Sequence, residues 1–414
     1  MRVIYLTDSI GNKQNGGSGL SGLRFLQLLI SRYGHVTVVS DAVRNVPEAG
    51  DGYDVITVRR EAPAFGLSVR AMVRAVGIRV LNLPRPAVAP IDAKGDDVLV
   101  VCNSFSALMD RIKVTNARSV RATCVVRGDT NSFDFQGFGG QPGDDPLTEP
   151  LAFLQRFEGL IFVSSTTQKN WQRLITRPQH HYLLPNAIDE REVSTLMQQP
   201  TSAARAGLGW KADEVHIVVV GSLQKRKGQD VFIGAAPALL AQLPNATVHF
   251  VGVVSPPFGG LEMARGLQEA GGDRYVIHGH REDALTLVYA ADVAVCVSHS
   301  EAFPRSVAEY MALGKAIVTT PVAGADEMVI DGQTGVIIPL AESTALTDAL
   351  VSIVSDPGRC TALGTAARER YLTEYAIPVQ TRRFGEIFAD FDAVTSAAGV
   401  SGASVARPAL VDRT

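Results

Sequence analysis

Short apolar runs rich in β-branched residues alternate with stretches of helical period along most of the chain. In the first half RVIYLT, HVTVVS, DVLVVCNS, RATCVVRG and GLIFVSS read as strands, with GLRFLQLLISRYG and TTQKNWQRLIT as helices between them. The second half repeats the alternation more cleanly: VHIVVVGS, GQDVFIGAAPALLAQLP, NATVHFVGVV, YVIHG, REDALTLVYAAD, VAVCVS, EAFPRSVAEYM, KAIVTTP and GVIIP. Strand runs that are apolar on both faces and separated by helices belong to parallel sheets covered on both sides. Two such sheets predict an α/β chain of two Rossmann-like domains.

A length of 414 residues exceeds what one core usually holds. The polar, small-residue stretch QQPTSAARAG reads as a linker. The expected division is an N-terminal domain over 1–190, a linker over 191–210, a C-terminal domain over 211–375, a further helix over 376–395 and a disordered tail over 396–414.

Composition narrows the function classes. A net charge of −3 argues against a nucleic-acid binder that relies on a basic surface. The four cysteines lack a C-x-x-C spacing, and Cys102, Cys124 and Cys296 fall in apolar runs, which favours reduced core thiols and a cytoplasmic location. The opening MRVIYLTDSIG is too short an apolar run for a signal peptide, and no segment reaches the ~18 apolar residues that span a bilayer, so any membrane contact is expected to be peripheral.

The chemistry concentrates in EAFPRSVAEYM, directly after the strand-like VAVCVS. Pro304 suits the first helical position, and Val307, Ala308, Met311 and Ala312 give the helix an apolar face. The N–H groups of Arg305, Ser306 and Val307 would then be open to an anion at the carboxyl end of a parallel sheet. Glu301 precedes the helix and Glu309 lies inside it. Carboxylates accept paired hydrogen bonds from vicinal hydroxyls, and a diphosphate flanked by two sugars is a nucleotide-sugar. From these residues alone, Glu301 as a plain helix-start residue and Glu309 as a solvated one stays an open alternative.

In this segment, and in GSLQKRKGQDVFI, LLPNAID and the N-terminal Gly-rich loop, the chain resembles the retaining glycosyltransferases of the GT-B fold, glycosyltransferase family 4. The resemblance implies two Rossmann-like domains facing each other across a cleft. It also implies metal-independent transfer of a hexosyl group from a nucleotide-diphosphate sugar to a hydroxyl of a saccharide or lipid-linked acceptor. No cofactor or metal is implied beyond that donor co-substrate, and a polysaccharide or glycolipid pathway is the family's usual setting. Glu309 matches the family's ribose ligand and Glu301 the residue facing the transferred hexose. Phe303, Pro304 and Arg305 would bring backbone N–H groups to sugar hydroxyls, Ser306 and Val307 to the diphosphate. Lys227 matches the lysine that neutralises the departing diphosphate in place of a metal, and Gly16 and Gly17 match the paired glycines that approach it from the other domain.

Two positions depart from the family pattern. Ser222 stands where an arginine is usual, with Arg226 beside Lys227 as a second cation. Arg127 stands where many relatives carry a histidine near the acceptor. An arginine stays protonated and is no general base, which leaves Asp129 either as that base or as a turn residue of RGDT. His278 is expected near the donor base or packed at a strand end, without a metal partner. Arg70, Arg74 and Arg79 recur among apolar residues over 66–82, either as an interfacial helix on an anionic membrane or as an ordinary amphipathic helix. The rival functions are a catalytically inactive nucleotide-sugar-binding subunit and a GT-B phosphorylase or epimerase.

Overall fold

The computed structural model describes residues 1–7, 16–41, 52–58, 89–103, 105, 109, 112–132, 145–188 and 190–398. The stretch 66–82 and the tail from residue 399 lie outside them. Among the described residues no helix is long and apolar enough to cross a membrane.

The first half supplies β1 (Arg2–Thr7), β2 (Val36–Asp41), β3 (Tyr53–Val58), β4 (Ala89–Asp92), β5 (Asp97–Asn103), β6 (Ile112–Thr115), β7 (Ser119–Val126), β8 (Gly159–Phe162) and β9 (His180–Leu183). Seven of these form one sheet in the order β3-β2-β1-β5-β7-β8-β9, while β4 and β6 pair separately. Its helices are α1 (Gly16–Tyr33), α2 (Thr148–Leu154) and α3 (Ser165–Gln172). Val3, Ile4, Leu6, Val98, Leu99 and Val100 are buried, which explains why β1 and β5 read as doubly covered strands.

Two short helices, α4 (Glu190–Leu196) and α5 (Thr201–Gly207), occupy the stretch expected as a linker, with Pro200 capping the second. The second half builds β10 (Val215–Val220), β11 (Ala246–Val251), β12 (Tyr275–Gly279), β13 (Val293–Cys296), β14 (Ala316–Thr319) and β15 (Val336–Ile337). Their order is β12-β11-β10-β13-β14-β15, every pairing parallel. Its helices are α6 (Val231–Gln242), α7 (Gly260–Gly271), α8 (Ala284–Ala290), α9 (Arg305–Ala312), α10 (Ala325–Met328), α11 (Ser343–Val354), α12 (Pro357–Glu374) and α13 (Ile377–Ala398). On one face Phe232, Phe250 and Tyr275 meet edge to face, with ring centroids 5.2 Å apart for the first pair and 5.5 Å for the last two. The strand order reverses between β10 and β13, so the loops leaving these two neighbours diverge and open a place for a ligand at their carboxyl ends.

Two compact units result: Met1–Val125 with Arg156–Leu160 and Phe391–Thr414, and Val126–Gln155 with Ile161–Asp390. In the second, the Ile377 N–H at the start of α13 donates to Glu190 at 2.7 Å and Tyr182 donates to Asp390 at 2.9 Å. In the first, Asp392 pairs with Arg32 at 3.0 Å and Arg121 lies 5.7 Å over the Phe391 ring.

Candidate functional site

The loop after β10 turns back at Gly228, whose φ is +67° and whose missing Cβ would lie 1.9 Å from the Val297 carbonyl oxygen. Only glycine allows that approach. It presses the turn Lys225–Lys227 against the end of β13, where the His299 N–H donates to the Arg226 carbonyl at 2.9 Å and the Arg226 guanidinium donates to the Ser300 carbonyl at 2.7 Å. Two loops that are distant in sequence become one surface.

On that surface Lys227 Nζ lies 2.5 Å from Glu301 Oε1 and Arg226 Nη1 3.0 Å from Glu301 Oε2. Ser298 adds a hydroxyl hydrogen bond to Oε1 at 2.9 Å. Glu301 is only 7% exposed. Burial pushes its carboxyl up, but the Lys227 and Arg226 cations outweigh that and hold it at about 2. Two cations against one carboxylate leave an excess positive charge at the switch point, where an anionic ligand of a doubly wound sheet would sit. Ser222 in the same loop accepts a hydrogen bond from Gln224 on its hydroxyl at 2.7 Å and from Gln229 on its carbonyl at 3.0 Å.

The helix α9 follows at once. The Tyr310 hydroxyl accepts from the Val220 N–H at 2.8 Å and donates to the Val295 carbonyl at 3.3 Å, fixing the helix to both central strands. Val307, Ala308, Met311 and Ala312 are buried, as the apolar period requires. The helix start differs from expectation by one residue: Pro304 is the N-cap, with Arg305 the first helical residue. Pro304 has no N–H, and its carbonyl accepts the Val307 N–H at 3.0 Å, so neither offers a donor to a ligand. Arg305 and Ser306 carry the first-turn N–H groups of the expected set. Glu309 sits one turn on, its carboxylate 2.8 Å from Arg305 Nε.

The remaining candidates are dispersed. Gly16 and Gly17 open α1, and the loop before them lies outside the described residues. Arg127, at the end of β7, donates to Asn186 of LPNAID. Asp129 is buried. Burial pushes its carboxyl up, against hydrogen bonds from Asn170 at 3.0 Å and from the N–H groups of Thr130 and Asn131. Its oxygens thus hold the turn. His278 lies on β12 and shares a 3.0 Å hydrogen bond with His249 of β11, which shares another with His216 of β10 at 3.0 Å. Sequence reading missed Ser298, Tyr310 and Asn186; Asn186 lay in LPNAID, a matched segment that assigned it no role.

Residues 214–356 match the family model of glycosyl transferases group 1. D-inositol 3-phosphate glycosyltransferase of Rhodococcus jostii is 30% identical over 216 residues, covering 50% of this chain and 47% of the relative. The chain thus spans about half the length of that relative. The structure of sucrose-phosphate synthase from Thermosynechococcus elongatus matches with a TM-score of 0.70 at 21% identity, over 95% of this chain and 100% of that one. HepE of Anabaena, solved in complex with UDP and glucose, matches with a TM-score of 0.67 at 18% identity, over 94% and 100% of the two chains. The segment that builds the six-stranded sheet and its Glu301 cluster is thus the part of the chain that matches glycosyl transferases group 1, and the chain carries it in a GT-B fold.

Proposed function

We propose that the chain moves a hexosyl group from a nucleotide-diphosphate sugar to a hydroxyl of a saccharide or lipid-linked acceptor, with retention at the anomeric carbon and with protein cations in place of a metal ion. The observation that carries this reading is the buried Glu301 held between Lys227 and Arg226 beside the start of α9. In this reading the two cations and the N–H groups of Arg305 and Ser306 stabilise charge as it builds on the leaving diphosphate. Such fixed electrostatics are a large share of catalysis in group transfer. Glu301 keeps both cations aimed while its neighbours meet the hexose, and Glu309 takes the ribose hydroxyls. Arg127, Asp129, Ser222, His278, Gly16 and Gly17 enter this proposal only through the family resemblance, and peripheral membrane contact over 66–82 belongs to it for a lipid-linked acceptor.

Because HepE binds UDP, UDP-sugars are the first probes. Purified protein is melted with UDP-, GDP- and ADP-sugars, as wild type and as Glu309→Ala and Lys227→Ala. One nucleotide series is expected to raise the melting temperature, and each substitution to weaken that series tenfold or more. A ligand at a hundredfold its Kd adds about 2.7 kcal/mol, so no shift with any donor would overturn the proposal.

A further inference from the structure

Four consecutive hydroxyl residues begin at the cap of α3, and all four are engaged. Ser164 caps the helix, accepting the Thr167 N–H at 3.2 Å and donating to the Thr167 hydroxyl at 2.8 Å. The Ser165 N–H donates to both carboxylate oxygens of Glu327, at 2.9 and 3.1 Å, and its hydroxyl donates to the same carboxylate. Thr166 donates to Asp326 at 2.8 Å. Thr167 is fully buried, its hydroxyl 3.4 Å from the carbonyl of Ala302, the residue after Glu301. A carboxylate from α10 therefore occupies the helix N-terminus, where the dipole favours an anion.

The other side of the same segment is held by the approach to α10. Gly324 has φ +83°, and a Cβ there would lie 2.7 Å from Phe303 Cα. Arg370 fastens α10 from behind, donating to the carbonyls of Glu327 at 2.7 Å and Met328 at 2.9 Å. Ala302 and Phe303 thus lie between Thr167 and Gly324, and the Glu327–Ser165 contact joins the two elements that grip them.

We propose that Glu327 is a positioning residue for the Glu301 segment: its carboxylate ties α10 to the N-terminus of α3 and so sets where Glu301 and Phe303 stand. The tie itself stands on geometry alone, while its consequence for a bound sugar rests on the donor-site reading above. Glu327 touches no reacting group and acts through Ala302 and Phe303.

The test uses the full chain with Glu327→Ala, Glu327→Gln and Ser165→Ala, followed by amide hydrogen exchange and by titration with UDP and UDP-glucose. Glu327→Ala is expected to speed exchange at least fivefold in both 163–168 and 297–304 while the peptides of β10 hold their protection. Glu327→Gln, which keeps an acceptor, should restore part of it. UDP-glucose should weaken about tenfold more than UDP, because the nucleotide end does not lean on Phe303. Should Glu327→Ala fail to fold, Ser165→Ala and Glu327→Gln carry the same comparison. Unchanged exchange in 297–304 while 163–168 loosens, or equal weakening of UDP and UDP-glucose, would overturn the role. Loosening of 297–304 in a protein whose wild type binds no nucleotide would keep the tie and remove the donor-site reading.

Discussion

Two buried polar clusters in the six-stranded sheet take opposite solutions to the same cost. At the carboxyl ends of β10 and β13, Glu301 stays ionised because two cations and a hydroxyl surround it. Across β10, β11 and β12, the imidazoles of His216, His249 and His278 form a hydrogen-bonded row, and Trp210 stacks on the first two with ring centroids 4.0 and 4.3 Å away. There burial comes first and pushes all three histidines towards the neutral form. Arg205 and Arg281 add to it at the two ends, against the opposing pull of Asp292, Glu214 and Asp283. His249, with only its two neighbours, falls to about 3. A buried group keeps its charge only where opposite charge is already fixed beside it. The charged cluster thus holds fixed charge at the strand ends, and the neutral one spends its hydrogen bonds between strands.

Gly228→Ala is the most severe way to break the charged cluster, since the methyl group collides with Val297 and φ is unsuited to it. A loss of about 3 kcal/mol is expected in urea unfolding, with the Lys227 turn displaced.

Acid separates the two clusters next. The histidines bind fewer protons folded than unfolded, so their contribution is complete above the unfolded value of about 6.5 and is lost as pH falls below it, for His249 towards about 3. By pH 5 His249 alone should account for roughly 2 kcal/mol. Glu301 has a lowered pKa, so its contribution holds above 4.5 and drains only between there and about 2. Urea melts at pH 7.5, 5.5 and 4 should show the loss beginning well above pH 5. His249→Phe should flatten that first phase and leave the second. A single loss confined below pH 4.5 would refute the contrast.

The smallest effect is expected at the start of α9, where the pair lies within one helix. Arg305→Ala removes an (i, i+4) pair with Glu309, worth roughly 0.5 kcal/mol in the ligand-free protein. A larger loss would mean that this pair, too, belongs to the buried charge set.

The strands that were legible are those covered on both faces: VHIVVV and VAVC are buried almost throughout, and their composition announces it. Of the strands that were not, YDVITV at the edge of its sheet and HHYL with half-exposed side chains lack that signature because one side or one face meets solvent. Glu301 and Lys227 stood out through motif spacing, but their 2.5 Å contact spans 74 residues and depends on β10 and β13 being neighbours. Glu327 and Ser165 are 162 residues apart and carried no local mark.

By itself the sequence determined the parallel α/β architecture, the apolar face of α9 and the residue types of the charged cluster, because hydrophobic period and turn chemistry are local properties. Tertiary structure alone decided that Val307 spends its N–H on Pro304, that three histidines align across strands, and that a carboxylate from α10 seats the Glu301 segment. Those outcomes rest on register and on helix starts displaced by a single residue. A helix start displaced by one residue leaves the apolar face intact and changes only which N–H groups stay open, whereas a one-residue slip of a strand would turn its apolar side chains to the other face.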